Sequence, residues 1–179
     1  MFRDNSLIPT EAIRLAALGL LAEAPRRYGD LAAEIRHFTS CVAGPSLDLM
    51  GAPLELLRYE GLVAAAEGTS MADNALLEIT VEGRVALAAL LQARLRAPLG
   101  DYNRLALLLK LRFLHHLSMA ERRSQIALIG DSIASELARL KDLRRHHGGA
   151  APGAFLAWLD HDIAALESRL ALLGAEPAQ

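Results

Sequence analysis

Apolar residues along this 179-residue chain recur mostly at intervals of three and four, the period of helices that turn one face to a core. Ile13, Ala16, Ala17, Leu20 and Leu21 form the first such stripe. They predict a helix over 11–23, with Thr10 as its N-cap, Glu11 at the positive end of its dipole and Pro25 as its stop. Leu31, Ile35 and Phe38 follow Asp30, a good capping residue, and predict a second helix. Gly44-Pro45 then breaks the chain, and Ser46 is placed to cap a third helix through Leu47, Met50, Leu54 and Leu57 to Tyr59. Pro53 should kink that helix or confine its regular part to the residues after the proline. Beyond the Glu60-Gly61 stop, the apolar runs at Leu62-Val63 and Ala75 to Ile79 flank a polar, turn-rich segment from Glu67 to Asn74, which predicts a two-stranded hairpin. Thr80 caps a fourth helix from Val81 to about Arg96, before Pro98 and Gly100. Three helices, a hairpin and a closing helix are the parts of a winged helix-turn-helix over residues 11–97.

Beyond residue 101 the pattern is helical throughout. One helix is expected from Asp101 to about Leu117. Ser118-Met119-Ala120-Glu121 reads as a capping box. It opens a helix with Ile126, Ile129, Ile133, Leu137 and Leu140 at helical spacing, closed by Lys141, Arg144, Arg145 and Gly148-Gly149. The last helix, from about Ala154 to Leu173, carries Phe155, Leu159, Ile163, Leu166, Leu170 and Leu173. Two long amphipathic helices beyond a complete domain have apolar surface to spare. Residues 101–174 are therefore expected to form a dimerisation domain that joins two copies of the chain through Ile133, Leu137, Leu159, Ile163, Leu166 and Leu170. The expected fold is mostly α, an N-terminal winged helix-turn-helix with a short β-hairpin followed by C-terminal amphipathic dimerisation helices.

Composition narrows the function. The chain is 53% hydrophobic and only 4% aromatic, enough to bury a core and unlike a β-sandwich or a disordered chain. Nineteen basic against 21 acidic residues give a net charge of −2, which excludes a protein that grips nucleic acid over its whole surface. Cys41 is the single cysteine, so no internal disulfide and no structural zinc site of cysteines is expected, and a reducing, cytoplasmic setting is the expectation. No apolar run succeeds the charges at Arg3 and Asp4, so no signal peptide is expected. The runs at 105–109 and 86–91 fall well short of the ~18–20 residues of a membrane span, so no membrane partner is expected.

Several segments, in order and spacing, resemble the PadR family of transcriptional regulators over nearly the whole chain. They are Ala16 to Pro25, Leu57-Arg58-Tyr59-Glu60-Gly61-Leu62-Val63, Ile79-Thr80-Val81-Glu82-Gly83-Arg84, Leu111 to Leu114, and Phe155-Leu156-Ala157-Trp158-Leu159. The resemblance implies a homodimer with two DNA-reading winged helices, joined through C-terminal helices and in some members answering to a small ligand. The chain departs from that pattern where DNA would be touched. Gly51-Ala52-Pro53 holds the recognition-helix proline slightly displaced and without its tyrosine, and Tyr28-Gly29 reverses the usual order at the second helix.

Charge departs as well. Residues 46–60 set Arg58 against Asp48, Glu55 and Glu60, residues 67–74 contain no Lys or Arg, and residues 11–97 hold 8 basic and 11 acidic side chains, a net of −3. Contacts to duplex DNA are therefore expected from few groups, namely Arg26, Arg27, Tyr28, Ser46, Arg58, Thr69, Ser70 and Asn74. Leu47, Leu49 and Met50 suit a protein groove if they face outward and the core if they face inward. Two readings result. One is a PadR-like dimeric transcriptional regulator; the other is the same fold turned into a protein–protein interaction module with weak or no DNA binding.

Catalytic chemistry has no sequence support, since neither a glycine-rich phosphate loop nor a nucleophile elbow is present. No enzyme activity and no cofactor is expected. His37, His115, His116, His146, His147 and His161 include no pair four apart, and neighbouring histidines on a helix diverge, as do the members of Asp160-His161-Asp162. No metal site is expected on that ground. His37 lies four residues before Cys41, but a lone cysteine is expected as a small buried hydrophobe. Trp158 is either a core anchor between helices or the lining of a ligand pocket at the dimer interface.

Overall fold

A computed structural model describes residues 9–44, 51–66, 75–95, 101–147 and 152–174. It divides into two compact units, one running to Ser118 and the other starting at Met119. The first contains α1 (Pro9–Glu23), β1 (Arg26–Arg27), α2 (Tyr28–Ala43), α3 (Gly51–Tyr59), β2 (Val63–Ala65), β3 (Leu76–Ile79), α4 (Val81–Gln92), α5 (Asp101–Phe113) and a 3-10 turn (Leu114–His116). This order is that of a winged helix with one helix added.

The centre of the first unit is α1. Its predicted stripe is buried, and so are Ala12, Leu15 and Leu18 on the other sides. A helix that is apolar all round must be covered all round, and α2, α3, α4, α5 and β3 all pack on it. Each leucine or isoleucine so buried contributes about 1.5–3 kcal/mol. Small residues set the spacing. A Cβ at Gly19 would stand 2.5 Å from the Phe113 ring, so α5 reaches α1 only because that Cβ is missing.

Several boundaries differ from expectation. Helix α1 starts at Pro9, whose fixed φ and missing N–H suit a first helical position, so Thr10 lies inside the helix rather than capping it. Helix α2 starts at Tyr28 with Arg27 as N-cap, leaving Asp30 in its first turn. The cause is a third strand that periodicity did not reveal. Arg26 and Arg27 pair with Leu77 and Leu76, and the Tyr28 N–H donates to the Ala75 carbonyl at 3.1 Å. The sheet is antiparallel in the order β1-β3-β2, with Val63 opposite Ile79 and Ala65 opposite Leu77. The expected pairing of two wing strands is present, and their connection at 67–74 lies outside the described residues. So does Ser46, while Pro53 falls in the first turn of α3. Helix α4 stops at Gln92, short of Arg96. The Lys110 ammonium, buried in α5, donates to the Ala93 carbonyl just beyond that end. Desolvation pulls the Lys110 pKa down to about 8. Helix α5 packs on α1 and α2, within the first unit rather than with the later helices.

The second unit is the pair α6 (Met119–His147) and α7 (Gly153–Gly174). Ion pairs from Arg144 to Asp160 at 2.7 Å and from Lys141 to Glu167 at 2.6 Å show the two running antiparallel. Among the described residues no helix is long and apolar enough to cross a membrane.

One joint in the first unit has no room for variation. Helix α3 ends in a Schellman motif, in which Leu62 N–H donates to Leu57 O at 2.9 Å and Gly61 N–H to Arg58 O at 3.0 Å, with Gly61 at φ +73°. Thr80 caps α4 by accepting from Gly83 N–H at 3.0 Å, and its hydroxyl donates to Gly61 O at 2.8 Å. A Cβ on Gly83 would lie 2.1 Å from the Leu62 carbonyl oxygen. Gly83→Ala should therefore cost about 2–3 kcal/mol in urea unfolding, whereas Gly29→Ala, with open space around it, should be neutral or stabilising by up to about 1 kcal/mol. Equal effects of the two substitutions would contradict this packing.

Candidate nucleic-acid interface

The Gly61–Thr80–Gly83 joint fixes the C-terminal end of α3 against both wing strands and the start of α4. What it leaves outward is Glu55, Leu56 and Tyr59 on α3 and Glu60 just after it. Tyr59 is 89% exposed and Leu56 45%, while Leu54 and Leu57 are buried against the core. Arg58 is half-buried. The residues whose facing the sequence left open, Leu47, Leu49 and Met50, lie outside the described residues.

Arg14 reaches the end of this face and Arg26 stands at the mouth of α2, and each meets a carboxylate. Arg14 of α1 makes a two-pronged contact with Glu60, at 3.0 and 2.5 Å. Planar guanidinium and carboxylate match in this geometry, and the pair ties the end of α3 to α1. The same guanidinium holds the Glu60 carboxyl below its usual range. Arg26 donates to Glu34 at 2.7 Å, reaches Glu23 at 3.6 Å and donates to the Leu20 carbonyl at 3.4 Å. Its guanidinium is thus turned along the protein. Arg27, its neighbour in β1, is exposed at the mouth of α2, and Tyr28 beside it is half-buried. Thr69, Ser70 and Asn74 fall outside the described residues with Ser46. Of the eight residues expected at a DNA surface, the structure brings Arg27 and Tyr28 together at the start of α2, places Arg58 on α3, and engages Arg26 internally.

A family model described as "Putative AphA-like transcriptional regulator" matches residues 2–176. The chain belongs to this family. No curated protein matches it. The AphA-like match spans both units, so the winged helix and the α6–α7 pair together make up the family's chain. The winged helix therefore belongs to a family described as putative transcriptional regulators, which agrees at that level with the regulator class that the sequence suggested.

In this AphA-like chain the residues expected at the dimer interface are covered to different degrees within the single chain. Ile133, Leu137, Leu159 and Leu166 are buried within the single chain, and Ile163 and Leu170 are half-buried. They fill the seam between α6 and α7. Trp158 is not a core anchor within the chain, since it is 69% exposed. An open cleft of about 480 Å³ in this unit is lined by Ala138, Lys141, Arg144, Arg145 and Ile163.

Two side-chain groupings also differ from expectation. Cys41 is exposed rather than buried, with Sγ 4.0 Å from the His37 ring nitrogens, because α2 runs through both residues. His115 and His116 do not diverge. They sit on a 3-10 turn with ring centroids 4.1 Å apart. Their ligand-capable atoms and that of Glu23, at the end of α1, lie within 4.8 Å of one another. Burial, and then the neighbouring His115 charge, push the His116 pKa down, opposed by Glu23.

Glu60 gives the interface a pH signature. A carboxyl depressed in the folded state stabilises the fold fully above its ordinary value of 4.5 and loses that contribution as the pH falls through the depressed value. Glu60→Gln should be less stable than the parent at neutral pH, and the gap should narrow in chemical unfolding as the pH is lowered below 4.5. A gap independent of pH would contradict the Arg14–Glu60 assignment.

Proposed function

We propose that this chain is a PadR-like homodimeric transcriptional regulator that binds duplex DNA through α3 and the wing. What carries the reading is the rigid α3–wing joint in a member of a regulator family, with the outer face of α3 left uncovered. Arg27 and Tyr28 stand at the start of α2, and Arg58 lies on α3 itself.

The ion pairs set the character of the binding. Phosphate neutralisation supplies most non-specific affinity, and each neutralised phosphate steepens the salt dependence by about 0.9 in log–log slope. Arg14 and Arg26 are paired with Glu60 and Glu34, and residues 46–60 hold one basic side chain against three acidic ones, so the slope should be shallow. Fluorescence anisotropy with a random duplex of about 30 bp, roughly three helical turns, should show binding near 20 mM salt that weakens with a slope of about −2 to −4. Arg27→Ala should reduce the magnitude of that slope by about 1. A complete lack of duplex binding at low salt would remove the reading.

One observation favours a second reading, in which the winged helix docks on a protein. Leu56 and Tyr59, both strongly exposed beside Glu55, resemble the anchors of a helix that lies in an apolar groove. In that case duplex would not bind, and Tyr59→Ala would abolish a protein partnership instead.

The dimer rests on the second unit. With the seam residues already covered in one chain, the apolar surface left for a partner includes Trp158 and Leu172, which is 68% exposed. Fourteen residues apart on α7, they lie within about 40° of one another around the helix. Light scattering should give a two-chain mass, and Trp158→Glu should shift it to one chain while leaving the helical content intact. A parent chain that is monomeric, or a dimer indifferent to Trp158→Glu, would contradict this assignment.

A further inference from the structure

The grouping of Glu23, His115 and His116 includes none of the residues named above for DNA binding and lies at the end of α1 and on the 3-10 turn. It joins the last residue of α1 to the 3-10 turn beyond α5, two places far apart in sequence and brought together by the burial of α1. Two imidazoles and a carboxylate are a borderline nitrogen–oxygen donor set. That set suits zinc and its first-row neighbours and is unlike the all-oxygen sites of calcium and magnesium. We propose that Glu23, His115 and His116 form a binding site for a divalent transition-metal ion of the zinc class.

Three features of the surroundings support it. The His116 Nε2 is buried and has no hydrogen-bond partner. An orphan buried nitrogen is costly unless something fills its lone pair, and a metal ion does so. His115 is held from behind, its Nδ1–H donating to the Arg112 carbonyl at 3.0 Å. That bond fixes the tautomer with the basic lone pair on Nε2, as backbone carbonyls do for metal-bound histidines. The third feature is the state of the Glu23 carboxylate. Arg26 and Arg112 both make their short contacts to Glu34, at 2.7 and 3.0 Å, and reach Glu23 only at 3.6 and 3.9 Å. Ordinary charge-assisted bonds are about 2.7–2.9 Å, so the Glu23 charge is loosely matched and available to a cation.

The spacing fits as well. A tetrahedral ion with ligands at about 2.1 Å sets its donor atoms about 3.4 Å apart. Donor atoms already within 4.8 Å of one another reach this by small side-chain rotations. Three protein ligands leave a further coordination position for water or an anion. Ion binding at this place stands whether or not the winged helix binds DNA.

The test uses the full chain freed of metal with a chelator and titrated with zinc chloride in a calorimeter. One ion per chain should bind, and Glu23→Gln and His116→Gln should each weaken binding at least about tenfold. Cys41→Ser and the double substitution His146→Ala with His147→Ala should leave the affinity unchanged. Because His116 is partly buried and its variant can misfold, the unaltered chain supplies an independent readout. Paramagnetic cobalt(II) should broaden amide NMR signals around residues 23 and 114–117 before any others. Lack of zinc binding up to about millimolar concentration, affinity unchanged in both ligand variants, or broadening centred on His146 and His147 would each overturn the proposal.

Discussion

Burial of the first helix on every side is the constraint that shapes the whole winged helix. Leu15, Leu18 and Ile13 point in different directions from one short helix, so no single partner can cover them. Helices α2 to α5 and strand β3 do it jointly. That requirement brings α3 and the wing, which meet the outside world, into fixed relation with elements that do not. The Arg14–Glu60 pair extends the same logic to the surface, since it runs from a helix otherwise sunk in the core to the last turn of α3.

The same ion pairs explain why a fold used in regulators has so little positive charge on the outer face of α3. Arginines are not missing from the neighbourhood. Arg14 and Arg26 reach toward α3 and the mouth of α2, but Glu60 and Glu34 meet them first. Their charge goes into holding elements together instead of attracting phosphates. On the proposed function, DNA binding built this way would depend on shape and on a few neutral contacts more than on counterion release. Leu56 and Tyr59 on the outer face of α3 fit either a groove of DNA or a groove of protein.

Much of this was legible in the sequence, and the rest was hidden for identifiable causes. Long stripes at helical spacing gave α1, α6 and α7 to within a few residues, and Thr80 was recognisable as a cap because its hydroxyl acts on an N–H only three residues away. Strand β1 is two residues long, and two residues have no period. The sequence marked Ile133 and Leu166 as apolar face and assigned that face to a second copy of the chain; no local pattern showed that both side chains are already buried within one chain. Arg14 and Glu60 are 46 positions apart, and no local pattern couples them. The histidines were judged by spacing along one regular helix, whereas a 3-10 turn brings them together and the carboxylate comes from α1. Gly83 carried a signal in its place after Thr80, and the structure supplies the reason, a carbonyl oxygen standing where a side chain would begin.

Whether α3 and the wing form the contact surface is decided by backbone NMR of the intact chain titrated with short duplex DNA at low salt. Shifts should concentrate at Arg27, Tyr28, Arg58 and Tyr59 while the buried residues of α1 stay unmoved. Shifts confined to α6 and α7, or none anywhere at saturating duplex, would contradict that surface.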